Sequence, residues 1–497
     1  MKNLFGFKEL HIKSEKKESS SPSETSLERH VMSEANLFDI VILGAGPAGY
    51  IAAIKAAQLK KKVCIIEKNK IGGTCLNRGC IPTKAIIASA NLFNSIKRAS
   101  DFGIDAENIN INFSAIQERK KKIVDGGING IKSLLKNYNI KLEYGTAELK
   151  EPFLIENHKE NGYTEKIKGN NIIISVGSCP ADIKGIHVDN EYIFDSDSIL
   201  DIKNLPDSLT IIGGGAVGCE FAHIFSSFDV KVSIVEQLSH LMPTEDEDIS
   251  STLEREFKKK GIKVYTNKKV DTILKDDANV KVTLSDGNEL KSDKLLIAAG
   301  RRFNTSGLGI EKTEIKIGKR GNILVNDRME SSVSGIYAAG DVTGNAMLAY
   351  VASREGIVAA ENAAGGKEKM DYSLIPSTVF TEPNIGCAGL KEREAKEKGI
   401  KINVGSFQFR SLGRAHTSGE ISGMVKFISD ANTDKILGVH IIGAHASEII
   451  HEAVIAIKMG MKSRELEDTI HSHPVYSEVL MEGAADVNKR AIHKYRD

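Results

Sequence analysis

The chain has 497 residues, 41% hydrophobic and 27% charged, and at roughly 150 residues per domain this length suggests about three domains. Its 67 Lys and Arg residues nearly balance its 66 Asp and Glu residues, which argues against the basic surface that nucleic acid or an anionic membrane would need. The longest apolar stretch, residues 38–54, is interrupted by Asp39 and Pro47 and is too short to span a bilayer. The six cysteines do not follow the pattern of a secreted disulfide scaffold, so a reducing, cytoplasmic location is expected.

Residues 1–37 differ in composition from the rest of the chain. The run of residues 14–26 consists of Ser, Glu, Lys, Pro and Thr with almost nothing to bury, which predicts a disordered polar arm. Its acidic residues argue against a transit peptide, and no apolar core suits a secretory signal. A solvated arm is the favoured interpretation, and a partner-docking arm is the alternative.

The first folded unit is predicted to begin at residue 38. The pattern is a strand, a glycine turn, a helix and a second strand that ends on an acid. Its parts are residues 38–43, the glycines Gly44, Gly46 and Gly49, residues 50–59, and residues 62–67 with Glu67 at the end. This order is that of a dinucleotide-binding unit.

A close cysteine pair follows, in the segment GGTCLNRGCIPTK of residues 72–84. Pro82 stands near the start of a predicted helix, where its missing N–H costs little, and Cys75 and Cys80 flank that start. On one continuous helix the two Cα atoms would exceed the ~7 Å limit for a disulfide, whereas a loop that leads into a helix can bring them together. A helix N-terminus also favours the reactive thiolate. The pair is therefore predicted to be catalytic; two inert cysteines, or a metal site without nearby partners, are the alternatives.

The dinucleotide-binding pattern returns in the middle of the chain. Its parts are residues 208–212, the glycines Gly213, Gly215 and Gly218, residues 219–226, and residues 231–236 with Glu236 at the end. One glycine turn is a weak signal because glycines also cluster in ordinary turns, but two copies with the same spacing are a strong one. In each, the first glycine permits the tight turn, the second lets a pyrophosphate approach, and the third allows close packing of helix and strand. Two glycine clusters without a ligand are the alternative.

Beyond residue 370 the pattern changes to that of an α+β domain. Residues 419–428 and 436–442 are predicted to be strands of a separate sheet. Between residues 447 and 459, apolar side chains recur on one face of a predicted amphipathic helix.

The segment of residues 72–84 resembles the redox-active motif of the pyridine nucleotide–disulfide oxidoreductases. The other matching segments, in the family's order, are residues 175–178, the second glycine turn with Glu220, residues 300–302, residues 336–341, residues 347–349 and residues 473–478. The resemblance covers roughly residues 38–490. It implies an α/β fold with two Rossmann-like dinucleotide-binding domains and a C-terminal α+β dimerisation domain. The expected boundaries are 38–185 with 304–374 for an FAD-binding domain, 186–303 for an NAD-binding domain and 375–497 for the interface domain.

The resemblance implies that the first glycine turn binds FAD, with Glu67 on the adenosine ribose and Asp341 on the ribityl chain. It places Lys84 near the flavin ring with Glu220 as its partner. A cation is unfavourable at a helix start, which independently suggests a special role for Lys84. Further cofactor contacts are expected at Gly73, Thr74, Ala147, Val176, Gly177, Ser178, Val270, Gly300, Met347, Leu348 and Ala349.

The second glycine turn is expected to bind NAD. Glu236 can accept hydrogen bonds from a ribose 2′-hydroxyl and would repel a 2′-phosphate. No arginine follows in residues 237–240. NAD is therefore expected in preference to NADP.

His473 and Glu478 complete the site that the resemblance implies. Dithiol exchange needs an acid/base with a pKa near neutrality, which histidine supplies, and a carboxylate can orient it. In the family this histidine reaches the active site of the other subunit, which implies an obligate homodimer. A structural histidine, or a metal pair with His471, is the alternative, but no cluster of further ligands supports a metal.

The implied reaction oxidises protein-bound dihydrolipoamide to lipoamide and reduces NAD+. Cys75 would exchange with the substrate, and Cys80 would contact the flavin. The implied partner is a lipoyl domain or lipoyl carrier protein of a multienzyme complex, and the sequence does not distinguish 2-oxo acid, acetoin and glycine-cleavage systems. The alternatives are related enzymes for glutathione, trypanothione or mercuric ion, and an inactive partner-binding flavoprotein.

The chain departs from the common lipoamide-enzyme pattern at four places. It has Tyr350 in place of His, Phe303 in place of Pro, Ser175-Val176 in place of Ala-Thr, and Gly413 in place of Asn.

Overall fold

The computed structural model describes residues 36–181, 183, 185–276 and 278–495. The arm predicted for residues 1–37 lies almost wholly outside the described residues. The described residues fold into an α/β architecture of a mixed-sheet unit, a parallel-sheet unit and a third, antiparallel-sheet unit. Within the described ranges, no helix is both long enough and apolar enough to cross a membrane.

The first unit contains four helices and seven strands before residue 181. They are β1 (Leu37–Leu43), α1 (Pro47–Gln58), β2 (Val63–Glu67), α2 (Gly73–Arg78), α3 (Cys80–Lys97), α4 (Phe113–Asn137), β3 (Lys141–Tyr144), β4 (Thr146–Glu151), β5 (Leu154–His158), β6 (Thr164–Ile174) and β7 (Ser178–Pro180). The sheet order is β3-β2-β1-β6-β5-β4, and the parallel strands β1 and β2 are almost continuously apolar because helices cover both faces.

The second unit repeats this plan around a five-stranded parallel sheet. Its elements are β8 (Ile193–Asp195), β9 (Ser208–Ile212), α5 (Ala216–Ser227), β10 (Lys231–Val235), α6 (Glu247–Lys259), β11 (Lys263–Tyr265), β12 (Val270–Lys275), β13 (Val280–Leu284), β14 (Glu289–Ser292), β15 (Lys294–Ile297) and β16 (Arg301–Phe303). The sheet order is β11-β10-β9-β15-β8, while β12, β13 and β14 form an antiparallel ribbon. Strand β16 pairs with β7 and so connects the second unit back to the first.

The chain then returns to the first sheet with β17 (Ile336–Ala338) and α7 (Ala349–Ala363). Strand β17 runs parallel to β6, which has β1 on its other side. The carboxyl ends of β1, β6 and β17 therefore meet at one edge of the sheet, which is where ligands bind in folds of this kind.

The third unit is an antiparallel sheet of order β18-β19-β22-β21-β20 with helices on its surface. Its elements are β18 (Ser377–Val379), β19 (Asn384–Gly389), α8 (Glu392–Glu397), β20 (Ile402–Gln408), α9 (Gly413–Thr417), β21 (Met424–Asp430), β22 (Ile436–Gly443), α10 (Ala446–Lys458), α11 (Ser463–Glu467) and α12 (Glu478–Val487). The strand predicted over residues 419–428 was wrong in its first half. It begins only at Met424 because Gly419 and Gly423 have φ of +65° and +126°, outside the extended range.

Candidate active site

Two glycine turns follow the central strands β1 and β9. Gly44 and Gly213 have φ of +95° and +110°, which L side chains rarely adopt. A β-carbon on Gly49 would lie 1.9 Å from the Gly44 carbonyl oxygen, and one on Gly218 would lie 1.9 Å from that of Gly213. The first glycine of each turn thus permits the bend, and the third permits the helix to pack against it.

The middle glycines, Gly46 and Gly215, border open space. A β-carbon on Gly215 would meet no atom within 4 Å, and one on Gly46 would approach only the Gly73 Cα, at 3.8 Å. Both glycines are helix N-caps, and in the part of the chain that the structure describes no side chain caps α1 or α5 and no acid occupies either first turn. The N–H groups of both helix starts can therefore bind phosphate, and both turns fit a dinucleotide.

Glu67 and Glu236 hold equivalent positions beside the two turns. Glu67 accepts the N–H groups of Ala45 and Asn69, both at 2.7 Å. Glu236 accepts the N–H of Gly214 at 2.7 Å and that of Leu238 at 2.8 Å. Each carboxylate is fixed by the backbone at a strand end, and its remaining lone pairs suit ribose hydroxyls.

Cys75 and Cys80 lie on two separate helices. Cys75 is inside the short helix α2, and Cys80 is the first residue of α3. The chain turns sharply at Gly79 between them, where a β-carbon would lie 3.1 Å from the Thr74 carbonyl oxygen. The expectation of a loop before α3 was therefore wrong: a helical turn precedes it, and the break at Gly79 brings the two cysteines together.

The side chains of Cys75 and Cys80 interact directly across the break at Gly79. The bond from the Cys75 thiol, helped by the Lys84 ammonium and opposed by burial, lowers the pKa of Cys80. The same bond, together with burial, raises the pKa of Cys75. The neighbouring Cys75 thiol and the Lys84 ammonium therefore both favour a thiolate at Cys80.

Lys84 and Glu220 form an ion pair between α3 and α5. The Lys84 Nζ donates to both carboxylate oxygens at 2.8 Å, and the Glu220 side chain is 9% exposed. The backbone N–H of Phe380 donates to the same carboxylate at 3.0 Å, and the Lys84 Nζ lies 4.5 Å from the Phe380 ring centre. Lys84 is one helical turn beyond Cys80 on α3, so its charge lies on the side of the cysteine pair.

His473 and Glu478 meet at the start of α12. The His473 Nδ1 lies 2.8 Å from a Glu478 oxygen, and the Val475 N–H donates to the other oxygen at 2.9 Å. These bonds overcome the effect of burial and lower the pKa of Glu478. The His473 side chain is 73% exposed, so its second ring nitrogen faces away from this subunit's core.

Asp341 belongs to a polar cluster at the carboxyl ends of β6 and β17. The Ser178 hydroxyl donates to Asp341 at 2.5 Å. Arg301 donates to the Ser178 hydroxyl at 2.7 Å and lies 3.9 Å from the Asp341 carboxylate. Ser178 and Asp341 were predicted from the sequence, whereas Arg301 was missed, although a cation directly after Gly300 was a visible signal.

A buried acid supports the turn before Asp341, and the sequence analysis missed it. Glu355 on α7 is fully buried, accepts the Gly340 N–H at 2.6 Å and accepts the Tyr372 hydroxyl at 2.5 Å. Burial raises the pKa of Glu355 to about 7. The sequence signal that could have found it is the helical spacing of Glu355 from the apolar residues Val351, Ala352 and Val358.

Two further predicted contacts lie beside the two glutamates. The N–H of Gly145, two residues before Ala147, donates to the Glu67 carbonyl oxygen at 3.0 Å. The N–H of Lys268, two residues before Val270, donates to the Glu236 carbonyl oxygen at 3.1 Å. The other predicted contacts lie in or next to element ends: Gly73 and Thr74 in α2, Val176 and Gly177 between β6 and β7, Gly300 before β16, and Met347, Leu348 and Ala349 at the start of α7.

The comparisons with known proteins agree with this geometry. Residues 38–356 match the family model of the pyridine nucleotide-disulphide oxidoreductases. Residues 375–484 match the dimerisation domain of the same family, which supports a homodimer.

Curated relatives match over nearly the whole chain. A dihydrolipoyl dehydrogenase of Chlamydia pneumoniae is 39% identical over 92% of this chain and 98% of its own. One of Bacillus subtilis is 38% identical over 92% of this chain and 100% of its own.

Solved structures share the fold of this chain. LpdA of Mycobacterium tuberculosis superposes with a TM-score of 0.84 at 29% identity, covering 90% of this chain and 98% of its own. The flavoprotein disulfide reductase RclA of Escherichia coli, as a Cu(II) complex, superposes with a TM-score of 0.83 at 30% identity, covering 90% of this chain and 99% of its own. The chain therefore belongs to the pyridine nucleotide-disulphide oxidoreductase family, and it is an oxidoreductase that uses FAD and NAD.

Proposed function

We propose that this chain oxidises the dihydrolipoyl group of a lipoyl-bearing protein and reduces NAD+. The observation that carries the proposal is the placement of Cys75 and Cys80 at the junction of α2 and α3, with the Lys84–Glu220 ion pair one helical turn beyond Cys80. It is supported by the curated relatives, which are named dihydrolipoyl dehydrogenases and match over 92% of the chain. FAD, when bound, supplies the two-electron chemistry that links dithiol oxidation to reduction of NAD+.

Cys75 is the proposed exchange sulfur. In the oxidised pair, a substrate thiolate attacks the Cys75 Sγ, the bond between Cys75 and Cys80 breaks, and Cys80 leaves as a thiolate. The second substrate thiolate then attacks the substrate sulfur of the mixed disulfide, so that the lipoyl disulfide forms and Cys75 leaves and takes up a proton. One disulfide is formed and one is broken, and the assignment follows the family resemblance and the Lys84 ammonium, which favours the charge on Cys80.

His473 is the proposed acid/base. It removes the proton of the substrate thiol, because the thiolate and not the thiol is the nucleophile. Glu478, 2.8 Å away, orients the ring and stabilises its charged form. The exposed ring faces away from this subunit's core, which supports action on the cysteine pair of the partner in a homodimer.

Lys84 is the proposed electrostatic support of the Cys80 thiolate. Its ammonium lowers the Cys80 pKa, and Glu220 fixes its position through two 2.8 Å contacts. The partner in this proposal is a lipoyl domain or lipoyl carrier protein. A cytoplasmic location suits a pair that cycles between thiol and disulfide.

The test compares three acceptors under identical conditions with NADH as the donor: lipoamide, glutathione disulfide and mercuric ion. We expect lipoamide to be reduced with the highest kcat/KM, and NAD+ to be reduced when dihydrolipoamide is supplied. Cys75→Ser and Cys80→Ser should each abolish lipoamide turnover. Faster turnover of glutathione disulfide or mercuric ion than of lipoamide would refute the proposed substrate.

A further inference from the structure

A short segment of the third unit, residues 376–380, contacts both other units near the cysteine pair. It consists of Pro376, strand β18 and Phe380. At its far, C-terminal end the Phe380 N–H donates to Glu220 at 3.0 Å. At its near, N-terminal end the Ser377 hydroxyl donates to Glu245, also in the second unit, at 3.0 Å.

Tyr350 fixes the near end of this segment from the first unit. It is the second residue of α7, and its hydroxyl donates to the Pro376 carbonyl. The charges of Glu245 and Cys80 also raise the pKa of the Tyr350 hydroxyl, after the larger effect of burial. Lipoamide enzymes commonly have histidine at this position. In this chain a tyrosine hydroxyl donates the hydrogen bond to the Pro376 carbonyl oxygen.

We propose that Tyr350 is a positioning residue for the Lys84–Glu220 pair, acting through the segment of residues 376–380. The hydroxyl of Tyr350 holds the start of that segment, and the end of the segment binds the carboxylate that in turn fixes Lys84. The proposal rests on the site roles proposed above, because it assigns Tyr350 an effect on the Cys80 thiolate that Lys84 supports.

The charges around Cys80 give the direction of the effect. The groups that act on its thiol are Cys75, Lys84 and Glu220, and the charge of Cys80 in turn acts on Tyr350. Burial raises the pKa of Tyr350 to about 12, so the phenol stays neutral and keeps its donor near neutral pH. Loosening Lys84 removes stabilisation from the thiolate, and the pKa of Cys80 should then rise.

The test is the Tyr350→Phe variant, studied as the reduced holoenzyme. The rate of iodoacetamide alkylation at Cys80, resolved by mass spectrometry, is measured against pH, and the long-wavelength thiolate–flavin absorbance is titrated in parallel. We expect the midpoint at Cys80 to rise by several tenths of a unit, with an upper limit of about 1 unit for one lost hydrogen bond. Ser377→Ala, which removes the contact with Glu245, should shift the midpoint in the same direction.

Tyr163→Phe is the matched control, because Tyr163 is 63% exposed in the turn between β5 and β6. It should leave the midpoint unchanged. A midpoint in Tyr350→Phe within about 0.1 unit of wild type, far below the effect of an ordinary hydrogen bond, would overturn the proposal. If Tyr350→Phe loses flavin, Ser377→Ala decides the question by the same criterion. Lipoamide turnover is a separate measurement, so failure of the proposed substrate and failure of the Tyr350 role are distinguishable.

Discussion

Replacing Glu236 with glutamine should weaken the preference for NADH over NADPH. Glu236 is 7% exposed and is fixed by the N–H groups of Gly214 and Leu238 at 2.7 and 2.8 Å. An acid at this strand end binds the ribose 2′-hydroxyl of NAD in Rossmann folds, and it repels the 2′-phosphate of NADP. The substitution keeps the shape of the side chain and removes the charge.

The magnitude follows from Coulomb's law. Two unit charges 4 Å apart repel by about 4 kcal/mol at an effective dielectric constant of about 20, which corresponds to about 10³-fold in binding. The amide side chain of the Glu236→Gln variant also loses one backbone hydrogen bond, but that loss weakens the binding of both nucleotides and cancels in their ratio. Water at the nucleotide screens part of the charge. We therefore expect the ratio of kcat/KM for NADH to kcat/KM for NADPH to fall by about 10- to 10³-fold in the variant.

The assay measures kcat/KM for NADH and NADPH with an artificial dye as the acceptor, so that the thiol steps do not limit the rate. Glu67→Gln is the matched control, since Glu67 has the same kind of backbone contacts at the first turn. That variant should lower FAD retention and leave the nucleotide ratio unchanged. If Glu236→Gln changed the ratio of kcat/KM for NADH to kcat/KM for NADPH by less than about threefold, which is about 0.7 kcal/mol, the reasoning would be refuted.

Three further predictions concern the thiol chemistry and the arm. His473→Gln should lower lipoamide turnover by about 10²- to 10⁴-fold while dye reduction by NADH survives, and parallel loss of both activities would point to a folding or dimer defect instead. The pH midpoint for alkylation of Cys80 should lie below the ~8.5 of a free cysteine, because both the bond from Cys75 and the Lys84 ammonium stabilise the thiolate. Lys84→Gln should raise that midpoint, and an unchanged midpoint would contradict the role assigned to Lys84. Deleting residues 1–35 should leave flavin content, Tm and lipoamide turnover nearly unchanged, because the polar run of residues 14–26 has almost nothing to bury against the folded units; a large loss of FAD would show a structural role.

The local parts of the site could be predicted from the sequence because short-range patterns determine them. The turn at Gly44 and the turn at Gly213 follow apolar strands and precede helices, as their spacing indicated. The breaks inside α-helical and strand-like segments were harder to predict. At Gly79 the chain folds back on the preceding helical turn, so that a β-carbon there would lie 3.1 Å from the Thr74 carbonyl oxygen, and the periodicity of apolar residues does not reveal such a break.

Contacts between distant segments could be predicted only through the family resemblance. Lys84 and Glu220, which the resemblance paired, are 136 residues apart, whereas the contact between Ser178 and Asp341, 163 residues apart, was not predicted. No periodicity in one chain pairs such residues. Arg301 was missed for the same reason, since its importance lies in its position between Ser178 and Asp341.

The placement of Lys84 explains why the cysteine pair needs a second unit of the fold. Lys84 is the fifth residue of α3 and adjoins the first turn, where the helix dipole disfavours a cation. Glu220 on α5 offsets that cost with two 2.8 Å contacts, yet as an anion it also raises the pKa of Cys80. The contribution of Lys84 to the Cys80 pKa is the larger of the two, because the lysine is on the same helix as the cysteine while the glutamate lies behind it. The ion pair can therefore be tightly fixed without cancelling the positive potential at the thiolate.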